Sequence, residues 1–414
     1  MLAAYGCEPF RGSESAVGWN WALQMSRYFE VTVVTRKSRK AAIEKFLDGD
    51  PSLRENLVFE YVDYPGWVVK LKRGGVTMNL YYLAWLGLAF FRSRRLVKEK
   101  GIELAHHVSF MSITRGAYVP FLKVPSIVGP VGGLQTIPPA YREVSRSPII
   151  EKIRSLGVRY FRLNPLGRLA VSNADLVVLA NSTNSGALPE KVLAKTVVGQ
   201  QIGTDAVPAR ELEVDPEKFV FRWIGRLIDH KGLEILIDVI SLLKEIEPEI
   251  FSKIQIIVSG SGPLAAYYRK LIREREIETT FEFVEWLSEE EMNSIWNRSR
   301  AFLFTSLRET TGLALLEAMT RGVPPVIIDN GGPSEIVTDE TGYKISAPTY
   351  PELLRKYAET MVRCVRDPDH LEPLGLRARE RAIAHYSWEA VGLKMKTFYH
   401  RVLEGLPPET SSEK

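Results

Sequence analysis

From residue 219 onward, short apolar segments alternate with longer segments whose apolar residues recur every three or four positions. The apolar segments are 219–224, 254–258, 281–287, 301–305 and 325–328. Short, mainly apolar segments of this length are typical of strands buried on both faces, and the longer segments are typical of amphipathic helices. The alternation therefore predicts βαβ units, a parallel sheet covered by helices and the α/β fold class.

The first half of the chain repeats this pattern less regularly. Its predicted strands are 31–35, 57–62, 104–107, 126–128 and 176–179. A first strand at 2–5 is short, and we expect it to begin upstream of Met1. The pattern breaks at 203–209, which includes Pro208. We therefore predict an N-terminal domain over 1–205, a C-terminal domain over 206–385, a last helix over 386–406 and a disordered tail over 407–414.

Composition excludes several other classes of protein. The chain has 414 residues, of which 45% are hydrophobic and 25% charged, so it is not a disordered chain. Cys7 and Cys364 are too few for a disulfide framework and lack metal-ligand spacing. The first residues do not have the basic and apolar regions of a secretory signal. The longest apolar run, 76–91, is shorter than the roughly 20 residues of a membrane-spanning helix. We expect a cytoplasmic protein.

Positive charge is concentrated in the first half. Residues 1–205 contain 27 Lys and Arg against 16 Asp and Glu, whereas residues 206–414 contain 27 against 34. Within 66–168 the counts are 17 and 4. The aromatic residues of that range include Trp67, Tyr81, Tyr82, Trp85, Phe90 and Phe91. Solvated helix faces, a polyanionic substrate and an anionic membrane surface would each account for this surplus. We predict peripheral membrane contact, and no nucleic acid partner, since no nucleic-acid-binding motif is present.

Glycines and charged residues follow the predicted strands of the second half. They are Gly225 and Arg226, then Lys231, after the first strand; Gly260 and Gly262 after the second; Trp286 and Leu287 at the end of the third; and Glu309 and Gly312 after the fourth. Ligands of doubly wound sheets bind outside the carboxyl ends of the strands. We therefore predict that these residues form one substrate-binding site.

The segment 309–317 combines groups that suit a nucleotide sugar. Gly312 and Leu313 open a predicted helix, whose first backbone N–H groups can bind a phosphate. Glu317 lies about one turn further along and can reach a ribose hydroxyl, because helical side chains lean toward the N-terminus. Glu309 precedes the helix and can bind sugar hydroxyls. The alternative is that both glutamates are ordinary helix residues, but the apolar neighbours of Glu317 favour a functional role.

Arg226 and Lys231 supply the positive charge that a diphosphate requires, which makes a metal ion unnecessary. The alternative is that both are ordinary surface cations. Asp48 and Asp50 resemble a metal-chelating acidic pair of other sugar transferases. They precede Pro51 in a polar segment with no phosphate-binding helix after it. We interpret them as a turn and predict no metal site.

Two further groups of candidates lie in the first half. His106 and His107 end a predicted strand. We expect at least one of them to be structural, and of the two we favour His107 as the residue that touches the transferred group, although the sequence leaves open which one faces the site. Gly12 and Ser13 follow the first strand and are expected to face the substrate from the other domain.

These motifs resemble those of the retaining nucleotide-sugar glycosyltransferases of family 4, glycosyl transferases group 1. The resemblance rests on the E-x7-E element 309–317 with 322–326, on Gly225, Arg226 and Lys231, and on 260–263. The segments 7–21 and 129–133 resemble a bacterial and archaeal subgroup. The resemblance implies the GT-B fold: two Rossmann-like domains whose parallel sheets face each other across a cleft, with the last helix packing back on the N-terminal domain.

The resemblance also implies an activity and roles for residues. The enzyme would be a hexosyltransferase (EC 2.4) that moves a sugar from a nucleoside diphosphate sugar to an acceptor hydroxyl with retention of configuration, without a metal or other cofactor. Arg226 and Lys231 would bind the diphosphate, Glu317 the ribose and Glu309 the donor sugar. The acceptor would be a glycan, a lipid-linked molecule of polysaccharide biosynthesis or a small molecule. A nucleotide-sugar epimerase and a nucleotide-sugar-binding module on the same fold remain alternatives.

Overall fold

The computed structural model describes residues 1–9, 13–70, 75–110, 112–146, 148–159, 164–285 and 288–407. These residues form two compact units. The first contains the described residues of Met1–Leu134, Gly157–Gly203 and Trp388–Lys414, and the second contains those of Gln135–Leu156 and Thr204–Ser387. The segment Gln135–Leu156 thus belongs to the second unit although it lies within the range expected for the first domain. Of the tail expected to be disordered, only Pro407 lies inside the described residues.

Each unit contains one parallel sheet. In chain order the strands are β1 Leu2–Ala3, β2 Val31–Thr35, β3 Leu57–Tyr61, β4 Ala105–His107, β5 Ser126–Val131, β6 Leu176–Leu179, β7 Thr196–Val198, β8 Phe219–Ile224, β9 Ile254–Ser259, β10 Phe281–Val284, β11 Ala301–Phe304, β12 Pro325–Ile328 and β13 Tyr343–Ile345. The seven-stranded sheet of the first unit has the order β3-β2-β1-β4-β5-β6-β7, and the six-stranded sheet of the second has the order β10-β9-β8-β11-β12-β13. Both units are therefore Rossmann-like, as predicted.

Helices connect the strands in both units. In chain order they are α1 Ser13–Ser26, α2 Lys40–Gly49, α3 Gly66–Lys70, α4 Gly75–Lys100, α5 Pro148–Arg159, α6 Pro165–Asn173, α7 Glu190–Leu193, α8 Leu233–Ile246, α9 Pro248–Lys253, α10 Ala265–Glu274, α11 Glu289–Arg298, α12 Leu313–Thr320, α13 Pro333–Ile336, α14 Tyr350–Arg366, α15 Leu371–Tyr386 and α16 Trp388–Leu403. Because a parallel sheet needs crossover connections, this alternation follows from the sheet topology.

The apolar strands of the second unit are buried beneath amphipathic helices, as the sequence predicts. Every residue of β11 and β12 is buried, and β8 is buried except at Ile224. Leu236, Ile240 and Leu243 of α8 are fully buried and belong to the same hydrophobic core as the residues of this sheet. Ile137 and Tyr141, from Gln135–Leu156, complete the same core. The segment is therefore an integral part of the second unit.

The last helix returns to the first unit. In α16, the Trp388 ring meets the ring of Trp21 on α1 edge to face, with centroids 6.4 Å apart. A Cβ added to Gly392 of α16 would lie 3.0 Å from the Gln24 side chain, so the two helices approach closely. This confirms the predicted packing of the last helix on the N-terminal domain.

The aromatic residues of 66–168 divide between core and surface. Tyr81, Tyr82 and Trp85 are buried in the core of the first unit, whereas Trp67 and Phe91 are 70% and 64% exposed. Half of the aromatic set that suggested a membrane surface therefore fills the core instead. Within the described ranges, no helix combines the length and the apolarity that crossing a bilayer requires.

Candidate functional site

The sheet order of the second unit brings the predicted site residues to adjacent strand ends. β9, β8, β11 and β12 are consecutive neighbours in the sheet. In the same order, the segments that follow these strands contain Gly260, Arg226, Glu309, and the adjacent glycines Gly331 and Gly332. Since all pairs are parallel, the four segments emerge at the same edge. This edge is where ligands of doubly wound sheets bind.

The loops after β8 and β9 are in direct backbone contact. A Cβ on Gly260, whose φ is +148°, would lie 2.0 Å from the carbonyl oxygen of Gly225. A Cβ on Gly262 would lie 2.4 Å from the carbonyl oxygen of Leu227. The amide of Leu227 donates to the carbonyl of Ser261 at 2.9 Å. Glycine is therefore required at 260 and 262, because a side chain there would push the loops apart.

A short 3-10 turn, Asp229–Lys231, brings Lys231 to the end of β11. The turn ends at Gly232, which has a φ of +71° and no room for a Cβ, since that atom would lie 2.1 Å from the carbonyl oxygen of Thr305. The carbonyl of His230 accepts from the Leu307 amide at 2.9 Å. These contacts join the segment after β8 to the segment after β11.

Lys231 and Glu309 form an ion pair at this junction. Both side chains are mostly buried, with exposed fractions of 22% and 17%. The backbone carbonyl of Glu309 accepts from the Gly332 amide at 3.2 Å, which ties the backbone of Glu309 to the segment after β12. Arg226 is exposed, and its guanidinium has no partner among the residues that the structure describes. One cation of the site is thus held in place, and the other extends into solvent.

The helix α12 begins beside this ion pair. Gly312 caps it with a φ of +92°, and the first helical residue is Leu313. The amides of Leu315 and Leu316 already donate to the Gly312 carbonyl, whereas the Leu313 and Ala314 amides bind no acceptor in the described part of the chain. Free N–H groups at a helix start can bind an anion.

Glu317 lies one turn into α12 between two arginines. Burial raises the pKa of its carboxyl group, and the positive charges of Arg321 and Arg222 act against this shift. No hydrogen bond or ion pair engages the Glu317 carboxylate within the described ranges. The Arg222 guanidinium is buried over the Trp296 ring, 4.1 Å from its centroid, and burial lowers its pKa to about 9. The positive charges of Arg321 and Arg222 therefore favour the ionised carboxylate, and its oxygens are available to accept hydrogen bonds.

Arg222 is a site neighbour that the sequence analysis missed. The available signal was a charged residue inside the apolar strand β8. Arg308 and His230 were also missed, although they directly precede Glu309 and Lys231. Their side chains bond to each other, with Arg308 Nη2 donating to His230 Nδ1 at 3.3 Å.

His106 and His107 are both fully buried at the end of β4. His106 Nε2 donates to the Gly129 carbonyl at 2.7 Å, so its Nδ1 accepts from the Tyr399 hydroxyl at 2.6 Å. Both of its ring nitrogens are engaged, which is a structural role. His107 Nε2 bonds to the Tyr82 hydroxyl at 3.0 Å, and burial lowers its pKa to about 4. That His107 touches the transferred group stays a prediction.

Some predicted site residues lie outside the described residues. These are Gly12, Trp286 and Leu287. Ser13 is the first residue of α1. Asp48 lies near the end of α2 and pairs with Arg54 at 2.9 Å, while Asp50 accepts from the Ser52 hydroxyl at 2.6 Å. Asp48 and Gly49 are the last two residues of α2, so Asp48 is helical and not part of the expected turn, whereas Asp50 directly follows the helix.

Comparison with known proteins gives a family match in the second unit. Residues 208–381 match the family described as glycosyl transferases group 1. One curated relative, D-inositol 3-phosphate glycosyltransferase of Corynebacterium efficiens, is 28% identical over 193 residues, which cover 46% of this chain and 44% of the relative. Another, alpha-maltose-1-phosphate synthase of Mycolicibacterium smegmatis, is 25% identical over 48% of this chain and 52% of the relative. The matches thus span about half the length of these relatives.

Solved structures show similarity over nearly the whole chain. Sucrose-phosphate synthase of Thermosynechococcus elongatus has a TM-score of 0.68 at 16% identity and covers 98% of both chains. Anabaena HepE in complex with UDP-glucose has a TM-score of 0.61 at 15% identity, over 96% of this chain and 98% of that chain. At such identities the similarity shows the fold, which is GT-B, and not the activity.

Proposed function

Because residues 208–381 match the family described as glycosyl transferases group 1, we propose that the protein transfers a sugar from a nucleoside diphosphate sugar to an acceptor hydroxyl with retention of anomeric configuration. The observation that carries this proposal is the Lys231–Glu309 ion pair beside the start of α12. It combines a cation for phosphate, a carboxylate for sugar hydroxyls and free backbone N–H groups at one sheet edge.

Each residue has a defined part in this mechanism. Lys231 and Arg226 bind the two phosphates of the donor, and the amides of Leu313 and Ala314 bind one phosphate at the helix start. Glu317 accepts hydrogen bonds from the ribose hydroxyls through its free carboxylate oxygens. Glu309 accepts from hydroxyls of the donor sugar.

Charge stabilisation then drives the transfer. As the bond between the anomeric carbon and the diphosphate breaks, negative charge develops on the phosphate, and fixed positive groups stabilise it most where water is scarce. The acceptor hydroxyl attacks the same face of the sugar and gives its proton to the departing phosphate oxygen. These cations and helix N–H groups supply the positive charge that a divalent metal provides in other transferases, which supports a reaction without metal.

Slow hydrolysis of the donor tests this function without knowledge of the acceptor. We expect one of a panel of α-linked UDP-, GDP- and ADP-sugars to raise the melting temperature and to be hydrolysed in excess EDTA. Proton NMR should detect the α-anomer of the released sugar first, because configuration is retained. Release of the β-anomer would contradict retention. Activity lost in EDTA and restored by Mg²⁺ or Mn²⁺ would contradict metal independence, and epimerisation of the donor without sugar release would indicate an epimerase.

We also propose that the first unit contacts an anionic membrane, where a glycan or lipid-linked acceptor of polysaccharide biosynthesis would be found. The outer face of α4 supports this. Its exposed apolar residues Leu80, Leu83 and Phe91 recur at helical spacing, and Leu80 and Phe91 are 61% and 64% exposed. On the same helix, Arg94, Arg95 and Lys98 are exposed in the following turns. Apolar side chains can enter the headgroup region while each basic residue adds about 1 kcal/mol on an anionic surface.

Co-sedimentation with liposomes tests the membrane contact. We expect binding to vesicles that contain anionic lipid, a decrease at high salt because salt screens the basic residues, and loss of binding in the variant Leu80→Ser/Phe91→Ser. Leu376→Ser, which removes an exposed leucine of the second unit, is the matched control and should bind as the unchanged protein does. Equal recovery in the supernatant with neutral and anionic vesicles at low salt would exclude this contact.

A further inference from the structure

The segment Gln135–Leu156 is fixed to the second unit by specific polar bonds as well as by its core residues. The Tyr141 hydroxyl donates to the Ala347 carbonyl at 2.5 Å and accepts from the Ala347 amide at 3.1 Å. The Arg146 guanidinium stacks on the Tyr267 ring, 3.6 Å from its centroid. These contacts anchor the segment to the second unit, and two further contacts reach the residues next to Lys231 and Glu309.

One of these remaining contacts holds the turn that contains Lys231. The Ser145 hydroxyl donates to one carboxylate oxygen of Asp229 at 2.6 Å, and the Arg146 amide donates to the other at 3.1 Å. Asp229 is the first residue of the 3-10 turn that ends at Lys231. Both oxygens of this carboxylate are therefore occupied by the segment, which fixes the start of the turn.

A second contact holds the segment that contains Glu309. Glu151, on the inner side of α5, is only 8% exposed, and its Oε1 accepts from Arg308 Nη1 at 2.5 Å. Its neighbours Ile149, Ile150 and Ile153 are exposed, so this helix directs a carboxylate inward and apolar side chains outward. Such an arrangement opposes the usual hydrophobic pattern, and the ion pair with Arg308 accounts for the inward carboxylate.

Arg308 joins the two contacts. Its Nη2 donates to Nδ1 of His230, which must accept because a guanidinium only donates. Burial, together with the charges of Arg308 and Lys231, lowers the pKa of His230 to about 4, so the imidazole is neutral and its proton is on Nε2. The chain of bonds runs from Glu151 through Arg308 to His230, which directly precedes Lys231.

We propose that Ser145 and Glu151 are positioning residues of the donor site. By fixing Asp229 and Arg308, they hold Lys231 and Glu309 in the arrangement that binds the diphosphate and the sugar of the donor. The identity of the ligand rests on the proposed function. The restraint of residues 229–231 and 308–309 does not depend on a ligand and can be measured on the protein alone. A role in stability only would leave the affinity for nucleotide unchanged.

The variant Glu151→Gln tests this directly, since it keeps the shape and removes the charge. We expect the affinity for UDP, the probe, to fall about tenfold, the KM for the donor to rise and kcat to fall, because Arg308 is then free to compete with Lys231 for Glu309. Glu151→Asp should recover part of the loss. The control is Lys152→Gln, which changes an exposed residue of the same helix and should bind UDP normally. Normal UDP affinity in folded Glu151→Gln would overturn the proposal.

Two further measurements identify the route and separate this proposal from the proposed function. If Glu151 acts through Arg308, the double variant Glu151→Gln/Arg308→Gln should bind UDP no more weakly than Arg308→Gln alone, whereas additive losses would refute that route. Hydrogen exchange without nucleotide should be faster in Glu151→Gln at the amides of 229–232 and 307–309. Unchanged exchange refutes the restraint. Failure of the unchanged protein to bind any nucleoside diphosphate, with faster exchange in the variant, refutes only the proposed function.

Discussion

Replacement of both cations of the donor site, Arg226→Ala/Lys231→Ala, should lower kcat by about 10²-fold or more. In the proposed reaction the two side chains stabilise the negative charge that develops on the leaving diphosphate, and removal of Lys231 also leaves the mostly buried Glu309 carboxylate without its partner. Initial rates of donor hydrolysis, measured at saturating nucleotide sugar for the unchanged protein and the variant, give the comparison.

The matched control for this experiment removes the same charges elsewhere in the second unit. Lys270 and Arg273 are exposed residues of α10, and Lys270→Ala/Arg273→Ala should leave kcat unchanged. If the loss of net charge alone were responsible, kcat would fall equally in both double variants. Full activity of Arg226→Ala/Lys231→Ala would show that the diphosphate binds elsewhere.

A single methyl group at Gly260 should destabilise the second unit by about 3 kcal/mol and abolish nucleotide binding. The added Cβ would lie 2.0 Å from the Gly225 carbonyl oxygen, and the backbone has a φ of +148° that alanine rarely adopts. Both effects force apart the loops after β8 and β9. Urea titration followed by circular dichroism measures the stability, and calorimetry with UDP measures the binding.

The control is a glycine-to-alanine substitution at a position where the added Cβ meets no other atom. Gly87 lies in the exposed middle of α4, and nothing lies within 4 Å of an added Cβ. Gly87→Ala should stabilise the protein by up to about 1 kcal/mol, because alanine favours a helix. If Gly260→Ala were as stable as the unchanged protein, the close approach of the two loops would not exist in solution.

The fold could be predicted from the sequence where strands are buried on both faces. The predicted bounds of β8 and β12 agree with the structure, because short, mainly apolar segments between turn residues are typical of strands at the centre of a covered sheet. β7 and β13 were missed. Each has three residues at a sheet edge and is only partly buried, so its sequence lacks a continuous apolar signal.

The sequence predicts those residues of the candidate site that directly follow an apolar strand. Arg226, Lys231, Glu309 and Gly312 follow apolar runs, and the parallel sheet brings such positions to one edge. The bond between Glu151 and Arg308 was not predictable, because 157 residues separate them and neither belongs to a motif. Nor does an apolar pattern indicate which sheet a connecting segment joins, since a buried tyrosine such as Tyr141 fits either core.

The membership of Gln135–Leu156 in the second unit affects how this protein can be recombined with its relatives. A chimera joined at residue 204 would appear to exchange whole units, as the family match over 208–381 suggests. Such a chimera would replace Tyr141 in the core of the second unit and Glu151 opposite Arg308 with the residues that the relative has at those positions. If Glu151 is a positioning residue of the proposed donor site, donor affinity would then change although Arg226, Lys231, Glu309 and Glu317 were all kept. Chimeras that transfer residues 135–156 together with 204–387 would keep the donor module intact.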